Sequence, residues 1–326
     1  MSAKEKAKDL TILKIKRGAV VCLGMVFFLS PGQNWYARVN LVPQLPKVQS
    51  IAISIPAPAD YPINFLNSSP PGLTARAVVV IDQDSAVMMT GKNEKTRLLP
   101  ASTVKLMTAL VTLDYYHLDD ILTVGEIRDL GQDIKLIKGE KITAKNLLYG
   151  LLVSSANDAA LVLAQNYPGG ETAFLTAMNQ KAQELSLNDT HFANPTGLDS
   201  DEKGSLLADY SYTTALDLAR LSALALQNET LSQMVATPKI LISDISGKTT
   251  HLLYNLNELL GKIEGVKGVK TGWTQLAGEC LVGYTERNNR GIITVVLGSQ
   301  DRFGETAKLI NWAFASHRWE SLTPSI

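Results

Sequence analysis

The chain has 326 residues, of which 45% are hydrophobic, and its formal net charge at pH 7 is zero. This length and apolar content allow one large domain with additional segments. The balanced charge gives no electrostatic reason to expect a nucleic-acid partner. The two cysteines and four histidines do not cluster with zinc-ligand spacing. The sequence therefore predicts no disulfide framework, metal site or other cofactor.

Residues 1–30 have the pattern of an export signal. Six cations within residues 1–17 precede an apolar run from Gly18 to Leu29, and this order is typical of secretory signals. The run is shorter than the roughly 20 residues that span a bilayer, although apolar residues before it would extend it. No clear small-residue cleavage site follows, and a buried helix of a soluble domain is the alternative. We expect a protein exported to a bacterial envelope and anchored in the membrane by this segment.

Residues 31–72 are predicted to form a proline-rich linker. Eight of the 13 prolines lie in this segment, and charged residues are nearly absent from it. Proline removes backbone donors and blocks helices, so such a segment is semi-rigid and extended. It would hold a domain, residues 73–326, away from a membrane. The alternative is an irregular layer of strand and loop packed on that domain.

From residue 73 onward the pattern is that of a compact α+β domain. β-branched and apolar residues predict strands at both ends of this region, and apolar residues at helical spacing predict helices between them. We therefore expect an antiparallel sheet assembled from both ends of the region, flanked by helices, with a helical subdomain. The predicted strands are 75–81, 86–89, 264–271, 280–286 and 291–298, and the predicted helices begin at 100–102 and cover 145–166, 170–187, 212–226 and 303–315.

Three short motifs carry the chemistry: Ser102-Thr103-Val104-Lys105, Ser155-Ala156-Asn157 and Lys270-Thr271-Gly272. On a helix, Ser102 and Lys105 lie on one face within reach of each other. A serine hydroxyl is a weak nucleophile until a neighbouring base takes its proton. A lysine is such a base only when burial or a nearby cation lowers its pKa. The apolar helix around Lys105 would supply the burial, and Lys270 would supply the cation.

Each motif is weak when it stands alone. Ser200-Asp201-Glu202-Lys203 repeats the first pattern in a polar loop, and Ser186-Leu187-Asn188 repeats the second at a helix end. Taken alone, Ser102 is also compatible with an N-cap serine beside a solvated lysine. The order of the three motifs, each in a fitting element, favours a serine acyl-transferase.

The three motifs resemble the active site of serine penicillin-binding proteins and β-lactamases. Their flanks resemble the low-molecular-mass D-alanyl-D-alanine carboxypeptidases, and the resemblance covers about residues 73–316. It implies the fold of those proteins, no cofactor, a peptidoglycan stem peptide as substrate and β-lactams as inhibitors. The residues that carry it are 98–110, 147–152, 157–160, 191–199, 268–274 and 277–278.

The resemblance also implies roles for individual residues. It makes Ser102 the acylated nucleophile, Lys105 the general base and Ser155 the proton relay to the leaving D-alanine. The residues that the resemblance implies to bind substrate are Asn157, Lys270, Thr271, Gly272 and Trp273. It implies that Asn157 orients the peptide and Lys105, that Lys270 supplies positive potential, and that Thr271 helps to bind the terminal carboxylate. The backbone N–H of Trp273 is implied to form an oxyanion hole with that of Ser102. The family often has histidine or tyrosine where Trp273 stands, and nothing in the sequence accounts for Glu279.

Other functions remain open at this point. An endopeptidase acting on cross-linked peptides would have the same motifs. A class A β-lactamase needs a deacylating glutamate, which Glu184 imitates at a helix end. A non-catalytic envelope-binding protein would not need the intact motifs. A nucleotide-binding loop requires glycine immediately before its lysine, and the segment 268–271 lacks it. No Gly-x-Ser-x-Gly sequence accompanies His191, so we expect this histidine to stabilise a loop rather than to belong to a catalytic triad.

Overall fold

The computed structural model describes residues 10–22, 59–127, 130–199 and 210–321. The chain divides into two compact units, Met1–Ala57 and Pro58–Ile326. Helix α1 (10–22) is the described part of the first unit. The predicted apolar run therefore lies only partly in α1, and its remainder is outside the described residues. Among the residues described, no helix is both long enough and apolar enough to cross a bilayer.

The second unit contains eleven strands and seven α-helices within the described residues. In chain order they are β1 (Tyr61–Asn64), β2 (Ala77–Asp82), β3 (Met88–Lys92), α2 (Lys105–Tyr115), β4 (Ile121–Thr123), β5 (Lys141–Thr143), α3 (Ala144–Val153), α4 (Asn157–Gln165), α5 (Gly170–Glu184), α6 (Ala215–Gln227), α7 (Glu229–Val235), β6 (Lys239–Ser243), β7 (Thr250–Tyr254), β8 (Val266–Thr274), β9 (Gly278–Arg287), β10 (Arg290–Ser299), α8 (Arg302–Ser316) and β11 (His317–Glu320).

A five-stranded antiparallel sheet forms the centre of this unit, in the order β3-β2-β10-β9-β8. Strands from the start and the end of the unit thus share one sheet, with most of the helices between them in sequence. This confirms the predicted α+β architecture. The hairpin β6–β7 and the pair β4–β5 are separate two-stranded sheets that lie in sequence between the strands of the large one.

Both faces of the large sheet are buried, which explains the continuous apolar run of β2. Successive side chains of a strand point to opposite faces. Ala77 and Val79 belong to the core that includes α2 and α6. Val78 and Val80 instead pack in the core that includes Leu309 and other residues of α8. Burial on both faces requires an apolar residue at every position rather than at alternate ones.

Two sequence predictions about elements were incomplete. The single helix predicted over 145–166 is two helices, α3 and α4, because Ser155 has φ +57° and Ala156 is extended. Strands β1, β4, β5, β6, β7 and β11 and helix α7 were not predicted, and β1 pairs with β11. Strand β1 lies in the segment 31–72 that the sequence assigns to a linker, so the folded unit includes part of that segment, while residues 31–58 lie outside the described ones.

Candidate active site

Ser102 lies on a short 3-10 turn, Ala101–Val104, that leads directly into α2. Two glycines allow other backbone segments to approach this turn. A Cβ at Gly197 (φ +80°) would lie 2.0 Å from the carbonyl oxygen of Ala101, and a Cβ at Gly272 would lie 3.0 Å from the Ser102 nitrogen. The close approach of Gly272 brings strand β8 against the backbone of the serine.

Lys105 is fully buried on the first turn of α2, and its Nζ has three close neighbours. It lies 2.9 Å from Ser102 Oγ, 2.7 Å from Asn157 Oδ1 and 2.7 Å from the carbonyl oxygen of Thr196. The last two atoms can only accept hydrogen bonds. A neutral amine has two N–H groups, which satisfy these acceptors, and its lone pair then remains to face the serine hydroxyl.

Burial lowers the pKa of Lys105 well below its ordinary value, and the nearby cation of Lys270 lowers this pKa further. The carboxylates of Asp133 and Asp158 raise this pKa, but by less than burial and Lys270 lower it. Desolvation disfavours the charged form of an amine. The surroundings therefore favour the neutral amine, and the hydrogen-bond pattern is compatible with it.

Ser155 lies in the break between α3 and α4, and its side chain points towards Lys270. The Nζ of Lys270 donates to Ser155 Oγ at 2.7 Å and to the carbonyl oxygen of Thr271 at 2.9 Å. Burial lowers the pKa of Lys270 to about 7, and the Arg302 cation contributes to this shift. A non-glycine residue with positive φ is uncommon and is often found at functional sites. The strained Ser155 thus joins two motifs that lie 115 residues apart.

Asn157 begins α4 and is held on both sides. Its side-chain oxygen accepts from Lys105, and its Nδ2 donates to the carbonyl oxygen of Leu130 at 3.2 Å. Its backbone N–H donates to the carbonyl oxygen of Gln132 at 2.7 Å. The segment 130–137 therefore fixes the side chain that in turn contacts the lysine.

Arg302, at the start of α8, was not singled out from the sequence. Its Nη1 donates to the carbonyl oxygen of Gly272 at 2.9 Å, while its buried Nε has no hydrogen-bond partner among the described residues. Glu279 accepts from the Arg302 backbone N–H at 2.8 Å. This contact accounts for Glu279, because a carboxylate at a helix N-terminus satisfies a free N–H group. Pairing of β9 with both β8 and β10 brings these residues together.

A cleft of about 660 Å³ opens above these groups. Six of the eight residues singled out from the sequence line it, namely Ser102, Ser155, Asn157, Thr271, Gly272 and Trp273, and Arg302 lines it as well. Lys105 and Lys270 lie buried behind their serine partners. The Trp273 side chain is 62% exposed, so the tryptophan forms an outer wall of the cleft.

Other residues weighed in the sequence lie elsewhere. Ser186 follows α5 with φ +55° and is not part of the cleft. His191 pairs its backbone with Tyr212, and their rings lie 5.6 Å apart. The serine of the second Ser-x-x-Lys copy, Ser200, is outside the described residues. No cluster of His, Cys, Asp or Glu in the described part of the chain could hold a metal ion.

Comparison with known proteins identifies the family. The sequence profile described as D-alanyl-D-alanine carboxypeptidase matches residues 65–301. The D-alanyl-D-alanine carboxypeptidase DacF of Bacillus subtilis is 32% identical over 258 residues, which are 76% of this chain and 64% of that protein. A D-alanyl-D-alanine endopeptidase of Pseudomonas aeruginosa is 33% identical, over 84% of this chain and 86% of the relative.

A solved structure shows the same fold. The crystal structure of the Streptomyces K15 DD-transpeptidase has a TM-score of 0.70 and 29% sequence identity, and the match covers 76% of this chain and all of that one. The chain spans a little under two thirds of the length of the Bacillus protein. With the profile matched over most of its length, the chain belongs to the D-alanyl-D-alanine carboxypeptidase family, the low-molecular-mass penicillin-binding proteins with a serine-peptidase site.

Proposed function

We propose that this protein is a serine D-alanyl-D-alanine carboxypeptidase that removes the terminal D-alanine from peptidoglycan stem peptides through an acyl-enzyme. The observation that carries the proposal is the arrangement around Lys105, whose Nζ lies 2.9 Å from Ser102 Oγ and whose neutral form would keep a lone pair for the serine hydroxyl while it donates to its two acceptor partners. A base positioned in this way activates a serine nucleophile. The family match supports the choice of substrate.

The reaction then follows two steps. Ser102 Oγ transfers its proton to Lys105 and attacks the carbonyl carbon between the two D-alanines, while the backbone N–H groups of Ser102 and Trp273 stabilise the oxyanion. The carbon–nitrogen bond breaks, and Ser155 delivers a proton to the leaving amine and takes one from the Lys270 ammonium, which donates to its Oγ. Proton exchange with water then returns the protonated Lys105 and the deprotonated Lys270 to their starting states. Water then attacks the Ser102 ester, which releases the shortened peptide and restores the serine hydroxyl.

Arg302 and Thr271 would hold the terminal carboxylate of the substrate. Both line the cleft beside Ser155, and the Arg302 Nε has no partner among the described residues. A guanidinium group is suited to carboxylates because it presents several donors in one plane. The carboxylate of the leaving D-alanine would thus lie next to the serine that protonates its amine.

We expect Arg302→Leu to raise KM for a peptide that ends in D-Ala-D-Ala by roughly 10- to 100-fold, the range for losing a hydrogen bond to a charged group. The measurement is steady-state release of D-alanine. The same peptide with a C-terminal amide is the matched control, because it has no carboxylate to lose. An equal rise in KM for the amide would mean that Arg302 acts only through Gly272 and Lys270, which would contradict its assignment as a partner of the substrate carboxylate.

Endopeptidase action on cross-linked peptides is the second candidate, and one observation favours it. A neighbouring pocket of about 580 Å³ shares Gln132 and Leu256 with the catalytic cleft and includes Ser154, next to Ser155. It would have space for a leaving group larger than one D-alanine. Chromatography of the products from a monomeric pentapeptide and from a cross-linked dimer distinguishes the two activities.

We also propose that the N-terminal segment exports the protein and keeps it at the bacterial membrane. The support is the basic and apolar pattern of residues 1–30. In cell fractionation, the full chain is expected in the membrane fraction, and a chain starting at Pro31 is expected to stay in the cytoplasm. Replacing the cations of residues 1–17 by glutamine should reduce export. Recovery of the full chain from the cytoplasm would contradict this proposal.

A further inference from the structure

The pocket of about 580 Å³ beside the catalytic cleft has apolar side chains on two of its walls. The segment 130–137 contributes Ile137 to one wall, and strand β7 of the β6–β7 hairpin contributes Leu252 and Tyr254 to the other. All three side chains are exposed to solvent. Apolar walls around a concave site are typical of a ligand pocket.

The apolar wall on the hairpin is not part of the protein core. Successive side chains of a strand point to opposite faces. In β7, His251 and Leu253 are buried, while Leu252 and Tyr254 point outwards. The outward face of such a strand is ordinarily polar. The two outward side chains are therefore available to a ligand in the pocket without any loss of core packing.

The pocket is continuous with the catalytic cleft, since Gln132 and Leu256 line both. Ser154 lines the pocket, and the next residue, Ser155, lines the cleft. The Nε2 of Gln132 donates to the carbonyl oxygen of Ser154 at 3.0 Å, and the backbone N–H of Leu256 donates to that of Val153 at 3.3 Å. Both shared residues are thus fixed to the backbone immediately before Ser155.

The proposed reaction places the leaving residue of the substrate beside this junction. Its amine receives a proton from Ser155, and its carboxylate is held by Arg302 and Thr271. The same carbon atom bears the amine, the carboxylate and the side chain of this residue. When the first two groups are held, the direction of the side chain is held as well. The methyl group of D-alanine would end within the cleft, whereas a longer chain would reach the apolar walls.

We propose that this pocket binds the side chain of the leaving residue and selects unbranched aliphatic chains that are longer than the methyl group of D-alanine. The inference rests on the proposed function, because it uses the orientation that Ser155 and Arg302 give to the substrate. Asp133 and Lys135 also line the pocket. They place one charge of each sign beside the apolar walls, so neither sign is selected.

This chemistry is that of a cross-linking diamino acid that carries a carboxylate beside its acylated amine. An aliphatic chain joins that carbon atom to the second peptide. The carboxylate would take the place of the D-alanine carboxylate, the chain would lie between the apolar walls, and the second peptide would leave through the open side of the pocket. The pocket would thus determine which leaving residues the site prefers.

Two peptides with the same acyl part test the proposal, one ending in D-Ala-D-Ala and the other in D-Ala-D-norleucine. Norleucine has an unbranched aliphatic side chain in place of the methyl group. The wild-type protein should cleave the norleucine peptide with a kcat/KM about tenfold higher, because the added methylenes become partly buried between the apolar walls. The measurement is steady-state release of the C-terminal amino acid.

Leu252→Thr is the decisive variant, and Leu241→Thr is its matched control. The two leucines face each other across the hairpin, and both are exposed, 48% for Leu252 and 62% for Leu241. Leu252 lines the pocket and Leu241 does not. Threonine suits a strand but removes most of the apolar surface. Leu252→Thr should lower the norleucine-to-alanine ratio of kcat/KM about threefold or more, and Leu241→Thr should leave this ratio at its wild-type value.

Ile137→Thr changes the opposite wall of the pocket without touching the hairpin, and it should lower the same ratio. The ratio compares two substrates of one protein, so a general loss of activity in a variant cancels. A wild-type ratio of one or less would overturn the proposal. So would an unchanged ratio in Leu252→Thr and Ile137→Thr, or an equal fall in Leu241→Thr.

Binding to Ser102→Ala tests the pocket without turnover. Calorimetry with the intact peptides should give a Kd about tenfold lower for the norleucine peptide, and adding Leu252→Thr should reduce this difference. Equal Kd values for the two peptides would overturn the assignment of the pocket. A preference for norleucine that depends on Leu252, in a protein whose wild type releases no D-alanine and is never acylated by benzylpenicillin, would instead show that the proposed function is wrong.

Discussion

Incubation with benzylpenicillin is expected to add the mass of one penicillin to the wild-type protein and none to Ser102→Ala. The adduct is an ester on Ser102 Oγ, the hydroxyl oxygen that lies 2.9 Å from the Nζ of Lys105. Removing the nucleophile of a serine hydrolase lowers turnover by about 10⁶-fold, so no adduct should be detectable in the variant. Intact-protein mass spectrometry of the full chain measures both results.

Ser200→Ala is the matched control, since it removes the serine of the second Ser-x-x-Lys sequence, Ser200-Asp201-Glu202-Lys203. It should acylate like the wild type. An adduct that persists in Ser102→Ala would show that another residue is acylated. Rapid penicillin hydrolysis without a stable adduct in the wild type would indicate a β-lactamase, and a folded protein with neither adduct nor turnover would favour a binding protein.

Lys105→Arg is expected to slow acylation by about 10³-fold, within the range for loss of a general base. A guanidinium is always protonated in proteins and cannot take the serine proton. Because arginine would also place a charge at a fully buried position, Lys105→Met is the companion variant, which lacks the base but keeps the apolar stem. Stopped-flow acylation by a chromogenic β-lactam gives the rate.

The control for this series is Lys203→Arg in the second Ser-x-x-Lys sequence, which should not change the rate. Acylation of folded Lys105→Met at more than about a tenth of the wild-type rate would contradict the role of Lys105, because a general base contributes at least about 100-fold.

The pH dependence of acylation should follow the same lysine. Burial and the Lys270 cation lower the pKa of Lys105, so the amine is neutral above this lowered value and acylation should decline as the pH falls through it. The unfolded chain binds a proton on this lysine up to its ordinary pKa. Between the two values the unfolded state therefore holds more protons, and the stability contribution of Lys105 should rise with pH.

The sequence alone was sufficient for the fold class, and it predicted most of the residues that the structure places at the cleft. Strands at both ends of residues 73–326 with helices between them predicted the sheet, because alternation and β-branched runs are local properties of the chain. The pairing of Ser102 with Lys105 also follows from local geometry, since residues three apart share a helix face.

Sequence reasoning failed where a backbone conformation or a partner depends on distant residues. The break at Ser155 was missed because residues 145–166 have continuous helical spacing, and the bond from Lys270 to Ser155 Oγ joins distant elements. Arg302 and Glu279 had no motif to identify them, since the antiparallel pairing of β9 with both β8 and β10 places them beside Gly272.

The sequence by itself determined the α+β architecture and placed the proposed nucleophile and base three residues apart, because periodicity and short spacings are local properties of the chain. Only the tertiary structure decided the surroundings of the lysines and the walls of the site. The lowered pKa of Lys105 depends on burial and on Lys270, and its hydrogen-bond acceptors lie 52 and 91 residues away in the sequence.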